Sequence, residues 1–67
     1  MRRNDLIRAL RAYARKRNIE FWVDEKKGKG SHYRVKVGTE LTTIQSDLNP
    51  PRIQRILKQL KIDPADI

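Results

Sequence analysis

Residues 32–37, His32-Tyr33-Arg34-Val35-Lys36-Val37, alternate in character without a slip. A period of two belongs to a β-strand, whose successive side chains leave opposite faces of the sheet. Tyr33, Val35 and Val37 therefore share one face, and His32, Arg34 and Lys36 share the other. Any fold containing this segment needs one dry sheet face and one wet one. Ile19-Glu20-Phe21-Trp22-Val23-Asp24 repeats the pattern and predicts a second strand. Its Glu20, Trp22 and Asp24 lie on the wet side beside His32, Arg34 and Lys36.

Gly38-Thr39 suits a two-residue hairpin with glycine at the first central position. Leu41-Thr42-Thr43-Ile44, rich in β-branched residues, then forms a third strand. Helical spacing brackets the three strands. Leu6, Ile7, Leu10, Tyr13 and Ala14 recur on one stripe, with Asn4 placed as N-cap, Arg8, Arg11, Arg15 and Arg17 on the other faces, and Asn18 as the end. Asn49-Pro50 reads as an N-cap followed by proline at the first helical position. Ile53, Ile56, Leu57 and Leu60 supply the second apolar stripe, and Pro64 opposes continuation beyond Asp63.

The expected fold is α+β in the order α-β-β-β-α, a three-stranded antiparallel sheet with two helices on one face. Residues 1–67 form a single domain, with no repeat, linker or low-complexity tract. A domain this short has a thin core, and with no cysteine it has no disulfide to reinforce it. The absence of cysteine also excludes thiol chemistry and cysteine-type zinc sites. The N-terminal residues mix charge into the apolar positions, unlike a secretory signal, and Phe21-Trp22-Val23 is far too short to span a bilayer. A soluble, cytoplasmic protein with no membrane association is expected.

Sixteen Lys and Arg against eight Asp and Glu give a net charge of +8. Such a field attracts polyanions, of which nucleic acid is the commonest, while an anionic membrane and an acidic protein share the same attraction. His32 is the single histidine, and its ordinary pKa of about 6.5 suits it to moving protons near neutrality. Taken alone, one surface histidine is more often incidental than catalytic. Its setting strengthens the case: the exposed loop from Glu25 to Ser31 places Gly28, Lys29, Gly30 and Ser31 immediately before it. Glycines allow backbone N–H groups to approach a phosphate, and Lys27 and Lys29 add attraction. An ordinary hairpin loop has the same composition.

Gly30-Ser31-His32, the alternating strand after it, Thr42-Thr43-Ile44 and Ile53-Gln54-Arg55-Ile56-Leu57-Lys58-Gln59-Leu60 follow one another in an order that resembles the HicA family of toxins. The resemblance spans essentially the whole chain. It implies a double-stranded-RNA-binding-domain-like fold, metal-independent endoribonuclease action on mRNA, and neutralisation by a HicB-like antitoxin covering the active site. It maps the family's catalytic histidine onto His32 and calls for no cofactor or metal. Two departures stand out. The family often carries proline closely followed by histidine after the third strand, where this chain has Gln45-Ser46-Asp47. Its first helix more often leads into Gly-Phe, where this chain has Ile19-Glu20-Phe21.

Internal attack on RNA requires a base for the 2′-hydroxyl proton and an acid for the leaving oxygen. One histidine excludes a two-histidine pair, which leaves Lys29, Tyr33 or water for the second role, although Tyr33 is expected to face inward. Asp24 orients His32 if the strands bring the two side by side; the alternative is a cross-strand Asp24–Arg34 ion pair. Arg34 and Lys36 are candidate phosphate ligands or a solvated basic edge. Trp22 is a candidate for stacking on a base, for core packing or for antitoxin contact. Arg52, Arg55 and Lys58 lie off the second apolar stripe and are placed at RNA by fold analogy. A non-catalytic RNA-binding module of the same fold would use the same basic surface.

Overall fold

The computed structural model describes residues 2–25 and 32–67, and its elements follow the expected order. They are α1 (Arg3–Arg17), β1 (Phe21–Asp24), β2 (Tyr33–Val37), β3 (Glu40–Ile44) and α2 (Pro50–Gln59), with a closing 3₁₀ turn at Pro64–Asp66. The sheet is antiparallel in the order β1-β2-β3, so β1 and β3 are its two edges.

Alternation fixes which residues meet the helices. Phe21 and Val23, then Tyr33, Val35 and Val37, then Thr42 and Ile44 occupy matched positions on one face. Leu6, Ile7, Leu10 and Ala14 of α1 pack there with Ile56 and Leu57 of α2, and Leu60 and Ile62 complete the core. Thr42 is the one polar residue in this buried set, and its hydroxyl donates to Gln59 Oε1 at 2.5 Å. That bond offsets the cost of desolvating the hydroxyl. Leu41, one residue away, points to the open face and is 54% exposed. Parity along β3 outranks hydrophobicity here, because burying Leu41 would expel Ile44 from the core.

Both helices close in the same way. Asn18 and Lys61 adopt left-handed backbone, with φ of 57° and 58°. In each case the next residue's N–H reaches back five residues: Ile19 to the Ala14 carbonyl at 3.0 Å, and Ile62 to the Leu57 carbonyl at 2.9 Å. These are Schellman closures, and they satisfy carbonyls that the helix ends would otherwise leave without donors. At the hairpin Gly38 holds φ 64° between the paired residues Val37 and Glu40.

Three sequence expectations need correction. Asn4 lies inside α1 rather than capping it; Arg2 holds the cap position, and Asp5 Oδ2 accepts the Arg2 N–H at 3.2 Å. The first strand begins at Phe21, because Ile19 is spent on the helix closure. His32 immediately precedes β2 rather than opening it. As expected, the second helix does not continue beyond Asp63; it stops at Gln59, where Lys61 turns left-handed, and Pro64 begins the 3₁₀ turn. Asn49 caps α2 as expected, its Oδ1 accepting the Arg52 N–H at 3.0 Å.

Candidate nucleic-acid interface

The helices cover one face of the sheet and leave the other open. Strand register arranges that open face in rows. Trp22, Lys36 and Leu41 form the row nearest the Gly38 hairpin, and Asp24, Arg34 and Thr43 form the next. Tyr33↔Ile44 is the last pair of the β2–β3 register, at the end of the sheet away from the hairpin, and His32 lies one residue before it. His32 and Arg34 are exposed, with the same parity along the chain.

The proposed helpers of His32 divide clearly. Asp24 pairs in register with Arg34, two residues from His32, so the side-by-side arrangement needed for Asp24 to orient the imidazole does not arise. The ion-pair alternative has the right register but is not formed; on this face the ion pair among the described residues is Glu20 Oε1 to Lys36 Nζ at 2.9 Å. Tyr33 lies on the core side, with the Arg3 guanidinium 3.7 Å above its ring centre. It therefore faces away from His32 and is not placed as the acid. Lys27, Gly28, Lys29, Gly30 and Ser31 lie outside the described residues.

The candidate RNA ligands also separate. Arg34 is exposed and makes no ion pair among the described residues. Lys36 is half-buried and held by Glu20. Trp22 is 38% exposed on the open face, which rules out full burial in the core. Arg52 is engaged within the chain: its guanidinium donates to Gln45 Oε1 and to the Asp47 carbonyl at 3.3 Å, with the Asp47 carboxylate 3.8 Å away. It pins the β3–α2 connection. Arg55 is exposed one turn further on, and Lys58 lies exposed in the last turn of α2.

Packing α2 beside the β3 edge produces a groove that sequence reasoning missed. It holds about 250 Å³, with Thr43 and Gln45 on one wall and Arg52, Arg55 and Gln59 on the other. Leu48 and Ile56 supply its apolar surface. Gln45 links this groove to the His32 end of the open face. The hairpin carried that signal, since a two-residue turn at Gly38-Thr39 fixes the pairing of residue 33 with residue 44, next to Gln45.

The fold and this face define a small α+β domain with a three-stranded open sheet whose exposed side carries arginine and tryptophan, with an exposed histidine just before its central strand. No family model, curated protein or solved structure matches the chain. Among the described residues no helix is long and apolar enough to cross a membrane, and no three His, Cys, Asp or Glu side chains gather as a metal site.

Proposed function

We propose that this chain is an endoribonuclease toxin that cleaves mRNA in the cytoplasm, with His32 as its general acid or base and a HicB-like antitoxin as its inhibitor. The observation that carries the reading is the place of His32: exposed, beside Arg34, at the end of the open face of a domain with net charge +8. The HicA-like order of motifs adds independent support, and it assigns the same residue.

The chemistry follows from what the imidazole can do. Neutral His32 takes the proton of a 2′-hydroxyl, and the 2′-oxygen attacks the neighbouring phosphorus. The O2′–P bond forms, the P–O5′ bond breaks, and the departing 5′-oxygen takes a proton. Arg34 balances charge on the phosphate oxygens through its planar fork of donors. This route requires no metal. With Tyr33 facing the core, water or Lys29 supplies the second proton.

The test is cleavage of a mixed-sequence RNA in EDTA by the intact chain and by His32→Ala. The exposed position of His32 leaves the fold of the variant intact. Cleavage is expected to fall by at least about 100-fold, the lower end of what general acid–base groups contribute. Equal cleavage would remove His32 from its role. RNA binding by both proteins with cleavage by neither would favour the non-catalytic binding module.

A further inference from the structure

The groove between β3 and α2 has a chemical bias. The Gln45 side-chain oxygen accepts from Arg52, and the Gln59 side-chain oxygen accepts from Thr42. One lone pair of each acceptor is therefore used within the chain, while neither amide NH2 has an acceptor among the described residues. An amide NH2 carries two donors and a guanidinium five. With Arg55 on the same wall, the groove presents mainly hydrogen-bond donors above the apolar surfaces of Leu48 and Ile56. Its volume of about 250 Å³ falls below the roughly 300–1,000 Å³ of pockets for drug-sized ligands and suits one small planar group.

We propose that this groove is a nucleotide subsite that selects keto bases, guanine or uracil, next to the phosphodiester on which His32 acts. The inference rests on the endoribonuclease reading and deepens it. Single-stranded RNA offers unstacked bases whose edges proteins read directly. Guanine presents O6 and N7 and uracil presents O4, all acceptors that match a donor-lined wall. Cytosine and adenine present amino donors at the equivalent place, which would face NH2 groups and a guanidinium. The apolar surface takes the base face, and Arg55 holds the base edge or the adjoining phosphate. Gln45 follows Ile44 and His32 precedes Ile44's partner Tyr33, so a base in the groove lies near the strand end at which the histidine sits.

Two measurements test this, and they fail independently. The first is an NMR titration of the intact chain with each of the four ribonucleoside 5′-monophosphates, which have no internucleotide bond to cleave, and with inorganic phosphate. Saturable shifts at the Thr43, Gln45 and Ile56 amides are expected, several-fold tighter for the guanosine and uridine nucleotides. Equal affinity for all four, shifts reproduced by inorganic phosphate, or no groove shifts would overturn the proposal. The second measurement maps cleavage positions on a mixed-sequence RNA for the intact chain, Thr43→Val and Arg55→Gln, with thermal unfolding of each as a folding control. A redistribution of cut sites away from guanine and uracil is expected. A uniform slowing at every site, or an unchanged pattern, would overturn the proposal while leaving the ribonuclease reading standing. If no RNA is cleaved, the ribonuclease reading fails and the titration alone decides the base selectivity of the groove.

Discussion

The two ends of the open sheet face carry similar numbers of cations but use them differently. At the hairpin end Lys36 is paired with Glu20 and flanked in register by Trp22 and Leu41, so that row is nearly neutral and partly apolar. At the other end Arg34 has no ion pair among the described residues, His32 is exposed, and the next strand leads into the groove lined by Arg52 and Arg55. Among the described residues of this face the positive charge is thus not equally compensated at the two ends. Local pairing decides which cations still face outward with their charge uncompensated, and among the described residues of this face that cation, Arg34, lies toward β2's start rather than at its hairpin.

The sharpest way to break this comparison is to remove one cation from each end. Arg34→Ala is expected to weaken RNA binding about tenfold and to reduce the salt slope of log affinity by about 1, as loss of one phosphate contact does. Lys36→Ala is expected to change both by much less, because Glu20 already offsets its charge. Filter binding of one RNA across a salt series measures both quantities. Equal effects of the two substitutions would abolish the distinction between the ends.

The comparison also marks how far the sequence could be read. Residues 32–37 revealed both faces of β2, because a strand's period is rigid and a one-residue slip would have put Arg34 in the core. Asn49-Pro50 and Asn18 were legible for a similar reason, since each carries a backbone preference that local geometry rewards. Asn4 misled, because Asp5, three residues after Arg2, supplies the carboxylate that reaches back to the Arg2 N–H. The choice of Glu20 over Asp24 as the carboxylate that finds a cation was not legible. It depends on side-chain reach between strands, which composition does not carry. The β3–α2 groove was less accessible still, because Thr43, Gln45, Arg55 and Gln59 become one surface only when α2 is laid beside the sheet edge.

If pairing with Glu20 is what quiets Lys36, releasing it should be measurable. Glu20→Gln is expected to raise RNA affinity a few-fold at low salt and to steepen the salt slope. Asp66→Asn makes the same change in net charge elsewhere, where Asp66 pairs with Arg17 at the end of α1 at 3.2 Å. It is expected to raise affinity less, through the long-range field alone. Identical gains from the two variants would mean that overall charge, not the Glu20–Lys36 pair, governs the hairpin end. Neither variant should shift the unfolding midpoint much, since exposed ion pairs contribute about 0–1 kcal/mol.

The smallest effect is expected from Leu41→Ser. Leu41 is the most exposed large apolar side chain of the described residues and lies in the same row as Trp22 and Lys36. Its removal takes little from the core, so stability should stay within about 0.5 kcal/mol of the intact chain by urea unfolding. RNA affinity and cleavage should also stay unchanged, because the hairpin row lies away from His32. A loss of RNA affinity with stability intact would mean that the nucleic acid covers the whole open face, Trp22 and Leu41 included. The difference between the two ends would then be one of charge pairing alone and not of contact, and the path from the groove past His32 would have to continue across β2 to the hairpin.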